Sequence, residues 1–234
     1  MKTTLIAIAT LFILGFSPSM AAQDMKQELQ KKLAAVKESV ARNQIALRQY
    51  TWTEHTEIIL KGEVKSTKEN ICRYGPDGKV QKTPLGPPPQ QKQMRGMKKK
   101  IAEKKKGELT DYMDRAAALI HRYVPPSPQQ MEAVFQNGNA SIGQAGPDKI
   151  QLQFKDYFKP GDSLVFNFDT TAKALTNVSI NSYLDDPKDD VVTLAVNFAS
   201  LPDGTNYTAS TILDAPAKKV QVKTTNSNHQ RALQ

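Results

Sequence analysis

Apolar and polar residues alternate along the last third of the chain, from Ile150 to Thr225. Six short runs show this alternation, and turn signals such as Pro160-Gly161-Asp162 and Pro202-Asp203-Gly204 separate them. Successive side chains of a strand point to opposite faces, so such alternation predicts strands with one buried face. The sequence therefore predicts an antiparallel meander.

Two longer strands are predicted ahead of the meander. Tyr50 to Lys61 and Glu63 to Tyr74 are rich in β-type residues and flank Gly62, which predicts a hairpin with one wet face. The turn signal Gly75-Pro76-Asp77-Gly78 leads into a short third strand at Lys79 to Thr83.

Helical spacing of apolar residues predicts three helices. Met25 to Gln49 and Leu109 to Tyr123 each carry an apolar stripe. Ser127, followed by Pro128, is the predicted N-cap of a shorter helix. The glycine-rich stretch from Asn137 to Asp148 is interpreted as a loop.

The first 21 residues have the features of a secretory signal peptide. Lys2 supplies the positive charge, Leu5 to Phe16 the apolar stretch, and Ser19-Met20-Ala21 fits the cleavage rule. The apolar stretch is shorter than the roughly 20 residues that span a bilayer, and no cysteine follows it for lipid modification. We expect an exported, soluble, periplasmic chain; the alternative is a retained membrane anchor.

Positive charge is concentrated in one segment. The formal net charge is +9, and residues 92–106 contain eight lysines and arginines against the single acid Glu103. We expect an anionic membrane surface as a partner of this segment, since each basic residue near such a surface contributes about 1 kcal/mol. The alternative is a solvated helix. Nucleic acid is not expected as a partner, because no aromatic residues are interleaved for stacking. The expected contacts are Lys98, Lys99, Lys100, Lys104, Lys105 and Lys106.

Motifs of catalysis and metal binding are missing from the sequence. There is no Gly-x-Ser-x-Gly motif, and Cys72 is the single cysteine. His55, His121 and His229 lack the spacing of zinc ligands. The aspartates of residues 185–190 lack the glycine and distal glutamate of a calcium loop, so a hairpin turn is predicted. We predict no enzymatic activity, no metal and no cofactor.

Three carboxylates lie on the first predicted hairpin. Glu54, Glu57 and Glu69 are surrounded by lysines and threonines. Carboxylates on such strands usually face water, so we expect all three on the wet face.

The order of these elements resembles the periplasmic lipoprotein-carrier (LolA/LolB-like) superfamily. Local likeness is carried by Ser163-Leu164-Val165-Phe166, by Asn177-Val178-Ser179-Ile180, and by Val196 to Thr205, where Pro-Asp-Gly separates two strands. In that family a curved sheet forms an incomplete barrel, and helices close one side over a hydrophobic cavity. The cavity holds acyl chains of lipoproteins or other lipids.

The pattern and the resemblance together predict an α+β fold. We expect a strongly curved antiparallel sheet, an incomplete barrel of about eight or nine strands, with helices packed on its concave face. The chain is divided into a signal peptide at residues 1–21, one domain at 22–225 and a polar tail at 226–234. The domain contains a proline-rich and basic helical insertion at about 84–137.

The function expected from this fold is non-enzymatic binding of a hydrophobic ligand by a monomer. The ligand would be a lipid or a lipoprotein acyl chain, as in the sorting of outer-membrane lipoproteins. In the alternative the same residues fill the core, and the protein is a structural or interaction module of the cell envelope. The candidate cavity residues are Trp52, Ile58, Phe154, Phe166, Phe168, Val178, Ile180, Val196, Phe198 and Tyr207.

Overall fold

The computed structural model describes residues 38, 42–86 and 97–232, of which 97–102 are described without their side chains. The predicted signal peptide and most of the helix predicted at Met25 to Gln49 lie outside these residues, although residues 42–47 are helical. Two longer helices follow the third strand: α1 (Met97–His121) and α2 (Pro128–Gln136). The strands are β1 (Tyr50–Leu60), β2 (Glu63–Tyr74), β3 (Val80–Leu85), β4 (Ala140–Gly146), β5 (Lys149–Lys155), β6 (Ser163–Asp169), β7 (Ala174–Tyr183), β8 (Val191–Ser200), β9 (Asn206–Ala215) and β10 (Val220–Arg231).

The ten strands form one sheet in the order β3-β2-β1-β10-β9-β8-β7-β6-β5-β4. All neighbours pair antiparallel, and all except β1 and β10 are also neighbours in the chain. The sheet is not closed, since β3 and β4 lie at its two edges. The segment that carries α1 and α2 therefore connects one edge of the sheet to the other.

The predicted meander and first hairpin are confirmed. The six alternating runs form β5 to β10, and β1 pairs with β2 up to Leu60 opposite Glu63. Lys61 and Gly62 between them have φ values of 55° and 79°. Glycine adopts this left-handed conformation without a steric penalty, which is why Gly62 marks the turn.

The sheet has more strands and more strand residues than predicted, because segments with low intrinsic strand propensity pair with a neighbouring strand. β4 forms in the predicted glycine-rich loop, with Ile142 opposite Leu152 of β5. β3 extends beyond the prediction through Pro84, which an edge strand tolerates. The residues predicted as a polar tail continue β10, since β1 offers hydrogen bonds up to Tyr50 opposite Arg231. Pairing with a neighbour outweighs low intrinsic strand propensity in all three places.

The helices also differ from the prediction in one respect. α1 begins at Met97 rather than near Leu109, so the lysine-rich residues form its first turns. α2 begins as predicted, with the Ser127 side chain accepting a hydrogen bond from the Gln130 N–H and Pro128 in the first turn.

The main core lies between the helices and one face of β5 to β8. Phe154, Leu164, Ile180 and Leu194 stand opposite one another across these strands. They are buried against Ala116, Leu119 and Ile120 of α1, Tyr123 just after α1, and Val134 of α2. Burial of each large apolar side chain contributes about 1.5–3 kcal/mol. This apolar face is called the inner face below.

A smaller cluster continues the core toward β1 and β10. Tyr112 of α1 is buried against Ala215 and Val220, and Leu60 and Leu109 pack beside them. Leu184 contacts both clusters and so joins them. Further along the sheet, the Asn43 side chain accepts a hydrogen bond from the Asn206 N–H, which fastens the helical residues 42–47 to the start of β9.

Candidate functional site

The residues predicted to line a cavity fall into two groups. Six belong to the main core: Phe154, Val178 and Ile180 are buried in it, and Phe166, Val196 and Phe198 are partly buried against it. The other four lie outside that cluster: Phe168 stands opposite Ile150, Ile58 is 40% exposed, and Trp52 and Tyr207 flank His229.

The main core is filled by the protein's own aromatic rings. The ring centroid of Tyr123 lies 5.6 Å from that of Tyr157 and 5.0 Å from that of Phe158. The Phe154 centroid lies 6.2 Å from that of Tyr157. Tyr123, Tyr157 and Phe154 are 0% exposed. Side chains that bordered a ligand-sized void would present surface to it, so no such void adjoins these rings.

A buried polar network fastens α1 to the loop between β5 and β6. The Asp162 carboxylate accepts hydrogen bonds from the Tyr123 hydroxyl at 2.5 Å and from the N–H groups of Phe158 and Lys159 at 3.0 Å each. Ser182 Oγ lies 2.7 Å from the Tyr123 oxygen. Burial raises the pKa of Tyr123, so the phenol stays protonated and donates. Asp162 is 2% exposed, and we assign the network a structural role.

Trp52 lies in a second aromatic group near the start of β1. Its ring stacks on that of His229 at 6.0 Å between centroids, and the Tyr74 ring lies 5.5 Å away. Its Nε1–H donates to Asn226 Oδ1 at 3.1 Å. Burial lowers the pKa of His229. The group is polar at one side and apolar at the other, as is usual for buried tryptophan.

Glu54 of β1 forms the clearest charged cluster on the inner face. Lys82 Nζ of β3 donates to both of its carboxylate oxygens, at 2.8 and 2.6 Å, and Asn70 Nδ2 of β2 donates at 3.1 Å. The expectation that Glu54 faces water is wrong, since it is 8% exposed. Strand parity explains this: Glu54 shares its face with Trp52, whereas Glu57 lies on the other face. Glu69 is exposed, as expected, and contacts His55 Nδ1 at 3.1 Å.

The Glu54 cluster brings together a carboxylate, a lysine and a thiol, but none of them is arranged as a reactive group. Cys72 is 0% exposed, and burial raises the pKa of its thiol, as does the nearby Glu54 carboxylate. A protonated thiol is a poor nucleophile. Asn70 Oδ1 is buried and lacks a hydrogen-bond partner among the described residues. Lys82 already neutralises Glu54, so we interpret the cluster as a fastening of β3 to the sheet.

No group of three or more His, Cys, Asp or Glu residues in the described ranges could hold a metal ion. The aspartates at the predicted turn form a hairpin between β7 and β8, where Asp186 accepts hydrogen bonds from the N–H groups of Lys188 and Asp189. Asp185 pairs with Arg115 of α1. Of the predicted membrane contacts, Lys104, Lys105 and Lys106 are exposed, and the side chains of Lys98 to Lys100 are outside the description.

Two open grooves lie at the surface near the turn between β1 and β2. The larger, of about 500 Å³, is lined by Ile59, Lys61, Gly62, Asp214, Lys219, Val220 and Gln221. The smaller, of about 390 Å³, is lined by Val64, Lys65, Ser66 and Thr67. None of the predicted cavity residues lines either groove. Sequence patterns gave no signal for the larger groove, because its residues meet only through the pairing of β1 with β10.

Comparison with protein-family models, with curated proteins and with solved structures finds no significant match. The resemblance to the lipoprotein-carrier superfamily therefore stays a prediction. Within the described ranges, neither α1 nor any other helix combines the length and apolarity needed to cross a bilayer.

Proposed function

We propose that the protein is a non-enzymatic structural or interaction module of the cell envelope, exported by its N-terminal segment. One observation carries this proposal: aromatic and aliphatic side chains of α1, α2 and the sheet pack into one cluster whose central residues are buried. A carrier needs a concave apolar site whose lining is exposed to the ligand. Six of the ten predicted lining residues instead belong to this cluster, three of them buried and three partly buried.

The contacts of the helices with the sheet favour a fixed rather than an opening interior. Tyr123, just after the end of α1, is hydrogen-bonded to Asp162, and Gln130 on α2 donates to the carbonyl of Tyr157. Opening this side to a ligand would separate buried partners and leave polar groups without hydrogen bonds, at about 1–3 kcal/mol each. The helices therefore serve to hold the sheet in one shape that a partner can recognise.

Binding of a hydrophobic ligand is the second candidate, and one observation favours it. The apolar row of the inner face continues beyond the helices, from Leu194 to Leu213, Val222 and Ile58 in register. Ile58 at the end of this row is 40% exposed. An acyl chain would lie along this row, with its polar end near the threonines of the next row, Thr211, Thr224 and Thr56.

Native mass spectrometry of the mature chain, followed by solvent extraction, tests both candidates. The module predicts a mass without a bound guest. The carrier predicts co-purified lipid that is lost in Ile58→Lys and retained in Ile71→Lys. Ile71 is a matched control, since it is 44% exposed and stands opposite Thr53, on the other face of the sheet. Stoichiometric lipid that depends on Ile58 would refute the filled module and establish the carrier.

A further inference from the structure

Residues 103–108 of α1 are exposed, and Leu109 is the first described side chain of this helix that packs on the sheet. The side of α1 that faces the core carries Leu109, Tyr112 and Ala116. About two turns before Tyr112, the same side of the helix presents Lys105, which is exposed. Lys104 and Lys106 are exposed as well. Three consecutive helical residues point in directions that span about 200°, so this part of α1 presents lysines around most of its circumference.

This exposed part of α1 leads into Tyr112, which lies near two loops of the sheet that also carry lysines, β1–β2 and β9–β10. Tyr112 packs on Val220 at the start of β10, and Lys218 Nζ lies 5.1 Å from the centre of the Tyr112 ring. The Lys61 N–H donates to the Lys219 carbonyl at 2.7 Å, which brings the β1–β2 and β9–β10 turns together. The lysines of three separate elements thus lie at one end of the molecule.

We name this surface the basic end and define it by Lys61, Lys104, Lys105, Lys106, Lys218 and Lys219. Two of its lysines, Lys61 and Lys219, line the larger groove, whose acidic residue is Asp214. Apolar side chains are interspersed with these lysines. Val64 is 53% exposed and stands opposite Ile59, which lines the groove. Exposed aliphatic residues among lysines are typical of surfaces that meet a lipid interface.

We propose that the basic end docks the protein on an anionic lipid bilayer. This rests on the proposed role as an envelope interaction module and gives that role a partner. Lysines beside anionic headgroups are attracted cumulatively, and Val64 can enter the boundary between headgroups and acyl chains. A soluble polyanion could pair with the lysines equally well, but it has no apolar region into which Val64 could insert. The aliphatic side chain therefore favours the bilayer.

Co-sedimentation of the mature chain with vesicles tests the proposal. Phosphatidylcholine vesicles with and without phosphatidylglycerol are compared at low and high salt. We expect binding that requires phosphatidylglycerol and weakens with salt. The decisive variant is Lys61→Glu/Lys218→Glu/Lys219→Glu, because it leaves α1 unchanged. It is expected to weaken binding about tenfold or more, as is Lys104→Glu/Lys105→Glu/Lys106→Glu.

A matched variant separates the surface from the net charge. Lys149→Glu/Lys155→Glu/Lys173→Glu makes the same charge change at exposed residues on β5 and after β6, toward the other edge of the sheet. It is expected to bind like the unchanged chain, and far-UV circular dichroism establishes that all variants fold. Equal losses in all three variants, or no loss in the turn variant, would overturn the proposal.

Val64→Ser decides between a bilayer and a soluble polyanion. The bilayer predicts weaker vesicle binding by Val64→Ser, because this variant keeps every lysine and removes the apolar side chain. Unchanged vesicle binding by Val64→Ser would refute the bilayer in favour of a polyanion. The vesicle experiment is independent of native mass spectrometry. If the protein fails to bind vesicles but shows a mass without bound lipid, the docking proposal is wrong and the proposed role as a module is not affected.

Discussion

At the scale of single residues, the stacked pair of Trp52 and His229 gives a direct spectroscopic signal. Trp52 is the single tryptophan of the chain, and the ring planes differ by 10°. Burial lowers the pKa of His229 from its usual value of 6.5, and protonation creates a cation–π contact with the indole. Tryptophan fluorescence of the native protein should therefore titrate with a midpoint below 6.5, and His229→Gln should abolish this titration.

The same shift predicts a pH dependence of stability. Because the folded pKa is depressed, the unfolded chain binds the proton first as the pH falls below 6.5. The contribution of neutral His229 is then complete above 6.5 and is lost as the pH falls through the folded pKa. Urea unfolding of the unchanged protein and of His229→Gln between pH 7.5 and about 5 checks this sign. The difference between their free energies of unfolding should shrink in acid. A difference that grows in acid would contradict the assignment.

The environments of Glu54 and His229 could not be predicted from the sequence. Glu54 looks like any strand carboxylate among lysines, and only the parity set by the pairing of β1 with β2 places it inside. His229 was assigned to a tail, since nothing in a polar run signals that β1 will pair with it. Single-residue roles here depend on partners distant in the chain, and one sequence does not show them.

At the scale of elements, the outer face of the sheet carries a row of hydrogen-bonded amides. The side-chain amides of Gln151, Asn167, Asn177 and Asn197 each donate to the next residue of the row, from β5 to β8, and Ser210 Oγ of β9 accepts the last bond. Asn177 bonds both neighbours, at 3.2 and 3.0 Å. Asn177→Ala should lower the free energy of unfolding by about 0.5–1.5 kcal/mol per lost bond. Ser179→Ala, on the same face of β7, is the control; equal effects in urea unfolding would show that the row contributes nothing.

Elements with a strong local sequence pattern were predicted. Elements that are stabilised mainly by pairing with a neighbour were not. β5 to β10 alternate clearly, Gly62 marks the turn between β1 and β2, and Ser127 caps α2. β4 contains glycine and alanine and forms because β5 lies beside it. The first turns of α1 are rich in lysine, which has good helix propensity, but they lack an apolar stripe, so the start of the apolar helix was placed near Leu109.

At the scale of the whole molecule, pairing of β1 with β10 unites the first hairpin and the meander in one sheet. Local pattern cannot predict this step, since both strands carry threonines and charged residues and fit several neighbours equally. The same pairing assembles the basic end from turns that lie far apart in the chain. Fold class was therefore within reach of the sequence, as were the lysines of α1, whereas the two turns that complete the surface proposed for membrane contact were not.

This continuity predicts that the two core clusters unfold together. Leu184 contacts both clusters, and Trp52, at the start of β1, belongs to neither of them. Thermal unfolding followed by Trp52 fluorescence and by far-UV circular dichroism should give one shared midpoint. Leu184→Ala should lower that midpoint by removing about 2 kcal/mol or more of apolar contact, while the two signals remain coincident. Leu201→Ala is the control, because Leu201 is also half-buried but belongs to neither cluster. Separate midpoints in the unchanged chain would mean that the β1 end and the helix-covered half are independent units, and the single-module proposal would then be wrong.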